Sequence, residues 1–568
     1  MVLWGLSMSR HSSIRILALL VFAFLELIPQ TVLGQSFDQG VVVCVSQPSA
    51  DAGATILKKG GNAVDAAIAT QFALAVTHPA AGNIGGGGFM VVHTGKIGEI
   101  PTIFEYREAA PRAAHETVYK KDDGVFTHKA SGVPGSVRGM AIAHQRFGTL
   151  AWKELLAPAV QLASEGFAVS RELAASLNYI RSGSKNFAEL QRVFTPPNGK
   201  SSWSAGDILR QEDLGKTLQR IAEHGPDEFY QGETSRLIAQ EMKTGSGLIT
   251  QEDLAKYQAR ERKAIELNYR GYKIYGAPTP SSGVTTLGIM LNILENRNLA
   301  TMGRYKTDTM HLLIESMKRA FAERAMHLGD QGFTDIPPRL LDKAFAKELL
   351  GNIPLDRSTP SAELTPEISI SKESENTTHF SVVDKNGMAV SNTTTLEQSY
   401  GSKVVVKGAG FLLNNEMADF NWFPGETNST GRIGTKPNLV QPGKKMLSSM
   451  TPVIVTRDGK PFLVTGSPGS RTIINTVLQI IINVIDFDMP IQLAVDSPRL
   501  HHQWFPDVAK FEATNDTSHA KTISELRIRG HAISQARQGD AHSILIDPKS
   551  GKRNAGVDRR IEGGVSGH

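Results

Sequence analysis

What this 568-residue chain lacks narrows it first. It has one cysteine, Cys44, so neither an internal disulfide nor a cysteine-based metal cluster can form. A chain this long can be stabilised by its own core without cross-links, even if exported. Cys44 lies in "GVVVCVS", which reads as a buried strand and a poor setting for thiol chemistry. Charge of one sign is also missing. Sixty-one Lys and Arg against 56 Asp and Glu leave a formal +5, with the cations scattered. No basic helix or aromatic-basic platform appears, which argues against nucleic acid as a partner. The apolar run at residues 16–28 is short and interrupted by Glu26, too little for a membrane span. "GGGG" at 85–88 lacks the lysine and spacing of a phosphate loop and reads as close backbone packing. His501 and His502 are adjacent, so on a strand they face opposite ways and cannot chelate one metal together. His542 in "GDAHSI" reads as structural, and no Ser-His-Asp spacing is evident.

What is present begins with an export signature. Arg10 and Arg15 precede the apolar run "ILALLVFAFLELI", and "PQTVLGQ" follows, with a cut expected after Gly34. The expected destination is the periplasm or the exterior. Sequons begin at Asn376, Asn392, Asn428 and Asn515. About 150 residues per domain would give three to four domains for this length. "GVVVCVS", "NIGGGGFMVVH" and "IPTIFEYREAAP" read as strands, and "PSADAGATILKKGGNAVDAAIATQFALAVTHP" as two helical segments. From about Val137 to Asp330 the pattern is largely helical, clearest at 307–330, where Met310, Ile314, Met317, Phe321 and Met326 recur at helical spacing. "APTPSSG" (277–283) reads as a break. Residues 351–376 are polar, acidic and proline-containing, the most linker-like stretch of the chain. Strands then resume at "HFSVVD", "GMAVSNTTT", "KVVVKGAGFLL", "PVIVTR" and "FLVTG", with hairpin turns at "DKNG" and "RDGK". "RTIINTVLQIIINVIDF" follows as a buried helix. Strands flanked by helical layers point to a layered α/β protein.

The seam at Asn376-Thr377-Thr378 has two readings. It is a loop with a sequon, or a cleavage point that makes Thr377 a new N-terminus. In the second case one residue supplies a hydroxyl nucleophile and, through its own α-amine, a base.

The seam resembles the γ-glutamyltranspeptidase family through "NTTHFSVVDKNGMAVSNTTTLEQSYG". Further blocks in family order are "GGNAVDAA", "GGGGFM", "YREAAP", "SGVPGSVRG", "LLNNEMADF", "LSSMTP", "GSPGSRTI" and "DSPRLHHQW". Together they span essentially the mature chain. The resemblance implies an N-terminal-nucleophile hydrolase, a four-layer α/β/β/α sandwich built by two subunits from one precursor. Residues 1–34 would be the signal, 35–376 the large subunit and 377–568 the small one.

The resemblance further implies self-cleavage at Asn376–Thr377, with Thr377 as nucleophile and Thr395 hydrogen-bonded to it. Arg107 would pair with a substrate carboxylate, joined by the hydroxyls of Ser448 and Ser449. Glu416 and Asp419 would hold an ammonium, with Glu397 at a third position where some relatives carry Asn. The backbone N–H groups of Gly469 and Ser470 would form the oxyanion hole, Ser470 standing where the family has a second glycine. Loop 421–445 would be a lid, although Thr430 stands about where lidded relatives carry an aromatic residue.

The implied activity is transfer of a γ-glutamyl group from glutathione or related amides to water, amino acids or dipeptides, with no metal or organic cofactor. Two rivals are weighed. One is a glutaryl-cephalosporin acylase, whose substrate lacks the ammonium that the acids would hold. The other is an unprocessed binding relative without catalysis.

Overall fold

Adjacent residues of the strand Val41–Cys44 belong to different cores. Val41 and Val43 pack with Phe89, Val91, Ile454, Val464 and Ile544, whereas Val42 and Cys44 pack with Ile68, Phe72, Met90 and Val382. Side chains on a strand alternate between faces, so this sheet is buried on both sides. The structure is a computed structural model and describes residues 34–364, 370–371, 377–425, 432–433 and 435–568. The expected signal segment, except Gly34, lies outside the described residues, as does Asn376.

Two antiparallel seven-stranded sheets lie face to face. The first has the spatial order Gly564–Gly567, Val41–Cys44, Thr378–Val383, Ala389–Thr395, Gly87–His93, Thr102–Glu105 and Arg260–Lys263. The second runs Gln35–Phe37, Arg553–Val557, His542–Ile546, Lys460–Thr465, Val453–Arg457, Tyr272–Gly276 and Ile265–Tyr269. Strands from both sides of residue 377 share each sheet. The apolar layer between them is built from alternate residues of both.

Helices cover the outer faces. Ala63–Thr77 is buried along its whole length against the first sheet, and its start is fixed by a capping box of Asn62 and Asp65. Gly283–Leu294, Thr307–His327 and Thr472–Ile485 cover the second sheet through Leu287, Ile314, Met317 and Ile481. The result is the four-layer sandwich that the sequence resemblance implies.

Two local expectations need correction. Within the stretch read as largely helical, residues 260–276 contain the strands Arg260–Lys263, Ile265–Tyr269 and Tyr272–Gly276. Arg270 and Gly271 both have positive φ, the geometry of a tight hairpin turn, and Leu267, Tyr269 and Ile274 turn one face to the core. "KVVVKGAGFLL" does not join a sheet. It folds back on itself, with Val406 N–H donating to Phe411 O at 2.9 Å and Leu413 N–H to Val404 O at 2.9 Å. Positive φ at Gly408 and Gly410 closes the turn.

Buried histidines make the fold sensitive to acid. His501 Nδ1 accepts from Asn475 at 2.7 Å and its Nε2 faces Gln503 Oε1 at 2.9 Å. His502 instead meets the Trp504 N–H at 3.0 Å and Asp507 at 3.2 Å, so the two rings do not converge on one point. Burial pushes His501 down to about 3 and His78 to about 4, against about 6.5 for the unfolded chain. Above pH 6.5 these rings are neutral in both states. As pH falls below that value the unfolded chain binds protons that the folded rings refuse, and stability falls. The buried carboxylates Glu108 and Glu416, with raised values, act in the opposite sense. The test is therefore differential: between pH 7 and pH 5, His501→Gln loses less stability than the parent chain in urea denaturation.

Candidate active site

Thr377 is half-buried and stands immediately before the central strand Thr378–Val383, whose neighbour Ala389–Thr395 ends on Thr395. The antiparallel register pairs Thr378 with Thr394, which carries Thr395 to the level of Thr377. The Thr377 hydroxyl donates to Thr395 Oγ1 at 3.4 Å, and Thr395 Oγ1 also accepts the Glu397 N–H at 2.8 Å. Asn83 Nδ2 donates to the Thr395 carbonyl at 2.9 Å, while its Oδ1 accepts the Gly86 N–H at 3.0 Å. The glycine run explains itself here. A Cβ on Gly86 would strike the Thr395 carbonyl, and one on Gly88 the Thr393 carbonyl. The glycines allow this close backbone approach, as expected from their lack of a phosphate-loop pattern.

Arg107 follows the strand Thr102–Glu105 and has no exposed surface. Its Nη1 pairs with Glu416 and its Nη2 with Asp419, and Glu108 lies 3.5 Å away. Nε donates to Met446 O and Nη2 to Leu447 O, each at 3.3 Å. Glu416 and Asp419 occupy one short helical turn, Glu416–Asp419. With Glu397 they bring three carboxylates within 4.8 Å of one another, a set able to hold a metal ion or an organic cation. The sequence expectation separates a cation for one substrate group from anions for another. In the structure the two sets pair with each other.

One guanidinium here faces four acids, Glu108, Glu397, Glu416 and Asp419. Burial drives Glu416 and Glu108 well above the usual carboxylate range, against the pull of Arg107. Among the described residues, Glu416 Oε2 and Glu108 Oε1 are buried without a hydrogen-bond partner. A compact group of buried acids in excess over its arginine favours an ammonium ligand.

Ser448 and Ser449 lie next to the "APTPSSG" segment, a buried connection. Ser448 N–H donates to Pro280 O at 2.8 Å, and the Ser282 hydroxyl to Ser448 O at 2.6 Å. Ser448 Oγ accepts the Met450 N–H at 3.1 Å. Ser449 Oγ accepts from Arg324 Nη2 at 2.9 Å, and Arg324 Nε donates to Ser282 Oγ at 2.8 Å. Sequence reasoning missed Arg324 and Asn83. Arg324 sits within the apolar periodicity of Thr307–His327, where a charge on the buried face was the available signal. Asn83 stands two residues before the first of the glycines whose packing it organises.

Gly469 and Ser470 lie between the strand Lys460–Thr465 and the helix Thr472–Ile485, with φ of 120° and 54°. Gly469 and Thr377 share the wall of a cavity of about 700 Å³. Of the loop 421–445, the described part holds Trp422 stacked on Tyr119 at 4.0 Å between ring centres, and Arg432–Ile433 paired with Ile370–Ser371. Thr430 lies outside the described residues.

Paired antiparallel sheets between helical layers, with a hydroxyl residue opening a central strand, define the N-terminal-nucleophile class of hydrolases. The Gamma-glutamyltranspeptidase family model matches residues 49–568, so the chain belongs to the γ-glutamyltranspeptidase family. It is 43% identical over 540 residues to the glutathione hydrolase proenzyme of Pseudomonas aeruginosa, covering 91% of this chain and 92% of that protein. Among solved structures, the cephalosporin acylase of Bacillus halodurans superimposes with a TM-score of 0.82 at 27% identity, over 94% of this chain and 97% of its own. The γ-glutamyltranspeptidase of Pseudomonas nitroreducens, 40% identical, superimposes with a TM-score of 0.52 over 55% of this chain and 94% of its own.

Left-handed φ at a non-glycine residue is strained by about 1–2 kcal/mol. Ser470→Gly is therefore expected to raise stability by about 1 kcal/mol in urea denaturation. It should keep turnover, because the backbone N–H is unchanged.

Proposed function

We propose that this chain is a glutathione hydrolase proenzyme that severs itself before Thr377 and then works as a γ-glutamyl hydrolase and transferase. The observation that carries this reading is one unbroken line of contacts. It runs from the Thr377 hydroxyl through Thr395 Oγ1 to the Glu397 N–H, and the Glu397 carboxylate adjoins those of Glu416 and Asp419, which hold Arg107. A nucleophile and a zwitterion clamp thus occupy one site.

In the cut chain, the free amine of Thr377 takes the proton of its own hydroxyl as that oxygen attacks the γ-carbonyl. Thr395 orients the hydroxyl without adding charge. The backbone amides of Gly469 and Ser470 receive the developing oxyanion. The substrate's α-carboxylate takes Arg107, with the Ser448 and Ser449 hydroxyls as further donors, and its α-ammonium takes the acids that Arg107 then releases. The amine product leaves, and water or a second amine accepts the glutamyl group.

The division into 35–376 and 377–568 agrees with the Pseudomonas nitroreducens chain, which is covered almost whole by about half of this one. Export through residues 1–34 accords with the charge and hydropathy of that segment, and no helix among the described residues is long and apolar enough to cross a membrane. The cephalosporin acylase shares the fold, yet a substrate lacking an α-ammonium would leave the acid cluster unmatched. That cluster favours γ-glutamyl compounds.

Thr377→Ala is expected to run as one uncut band on a denaturing gel and to release no p-nitroaniline from γ-glutamyl-p-nitroanilide. N-terminal sequencing of the smaller wild-type band should begin with threonine; a single active polypeptide would exclude this function. Asp419→Ala should mature normally yet lose turnover at least a hundredfold, because a charge-assisted contact worth about 3 kcal/mol is gone. Wild-type kinetics in that variant would remove the ammonium assignment.

A further inference from the structure

The donor clamp changes partners during the reaction, so something other than charge has to hold its acids in place. Before substrate arrives, the Asp419 carboxylate pairs with Arg107 Nη2. When a substrate carboxylate takes Arg107, that hold on Asp419 is given up. Asp419 also closes the single turn Glu416–Asp419, and a turn this short cannot satisfy its own last carbonyl.

Asn438 meets that need. Its Nδ2 donates to the Asp419 carbonyl at 2.6 Å, and its Oδ1 accepts the Leu447 N–H at 2.9 Å. The Leu447 carbonyl in turn accepts from Arg107 Nη2 at 3.3 Å, and Ser448 follows directly. One neutral amide, 7% exposed, thus ties the acid-bearing turn to the segment that carries the two serine hydroxyls. A primary amide offers donor and acceptor together and has no charge to exchange with a zwitterion. Asn438 is itself fixed. Its carbonyl accepts the Asn421 N–H at 2.9 Å, and Asn421 Nδ2 donates to Thr435 O at 2.7 Å. Pro437 O accepts the Thr334 hydroxyl at 3.3 Å, and a Cβ on Gly329 would strike the same carbonyl. Lys445 N–H donates to Asp330 Oδ2 at 2.9 Å. The end of loop 421–445 nearest Ser448 is therefore braced against the 329–334 connection by contacts that do not involve Arg107.

Resting on the reading above, we propose that Asn438 is a positioning residue for donor recognition. It keeps Asp419 where the α-ammonium arrives, at the step when Arg107 turns to the α-carboxylate. It acts through Asp419 and Leu447 rather than on the substrate itself. The α-ammonium lies far from the scissile amide and is held alike before and during acyl transfer. Loss of Asn438 therefore falls on KM rather than on kcat.

The test uses γ-glutamyl-p-nitroanilide as substrate and glutaryl-p-nitroanilide, which keeps the carboxylate but lacks the α-ammonium, as a competing ligand. Asn438→Ala removes both hydrogen bonds. Asn438→Asp keeps the acceptor for the Leu447 N–H and loses the donor to Asp419. Both variants are expected to cleave themselves as the parent does, because scission needs no free donor. KM for γ-glutamyl-p-nitroanilide should rise at least tenfold, the scale expected when a buried carbonyl loses its donor. The kcat and the Ki of the glutaryl compound should each stay within about threefold of the parent. An unchanged KM, or an equal weakening of both anilides, would overturn the inference while leaving the enzymatic reading intact. So would failure of both variants to cleave themselves, since Asn438 would then support the fold rather than the clamp. Parent protein that releases no p-nitroaniline would overturn both.

Discussion

A guanidinium with no exposed surface, Arg107, sets the terms for the rest of the site. Removing such a charge from water is tolerable only if opposite charge and hydrogen-bond acceptors surround it. Here Glu416, Asp419 and Glu108 supply the charge, and the Met446 and Leu447 carbonyls supply the acceptors. Those partners come from distant parts of the chain, so burial of one side chain draws together the Glu416–Asp419 turn and the segment leading into Ser448 and Ser449. Loss of Arg107 would leave several buried acids without their counter-charge, a defect of about 3–5 kcal/mol. The excess of acid over Arg107 then makes the cluster receptive to a further cation.

The threonines depend on a different constraint, the closeness of backbones. Thr395 is held at the level of Thr377 by strand register, and its carbonyl is held by Asn83. Gly86 and Gly88 let the neighbouring strand come near enough for Asn83 to reach both partners. Hydroxyl placement at the seam is thus a consequence of sheet geometry and missing side chains, while the gathering of acids at Arg107 is a consequence of buried charge. The Glu397 backbone N–H, donating to Thr395 Oγ1, joins the two.

Much of this was legible in the sequence because it depends on local pattern. Alternation identified Thr378–Val383 and Ala389–Thr395, apolar periodicity identified Thr307–His327, and the ordered blocks placed Thr377, Arg107 and the acids in one family. Less legible were features set by distant contacts. "IELNYRGYKIYG" is a hairpin because its apolar face meets the second sheet's core, a fact invisible inside a helical neighbourhood. "KVVVKGAGFLL" has strand composition but satisfies its own hydrogen bonds around two glycines. Arg324 reaches Ser449 from a helix whose pattern looks merely apolar. That Arg107 would pair with the very acids assigned to another ligand group required coordinates, since sequence order carries no information about which charges meet.

The position of Thr378–Val383 has a consequence for how the molecule is made. This strand is hydrogen-bonded on one edge to Val41–Cys44 and on the other to Ala389–Thr395. Scission just before it would release a chain end while every ladder bond stayed in place. Synthesised apart, each fragment would instead expose long unpaired strand edges, templates for aggregation. Assembly would therefore have to precede such a cut, and the covalent link would serve as a temporary scaffold, dispensable once the sheets have closed.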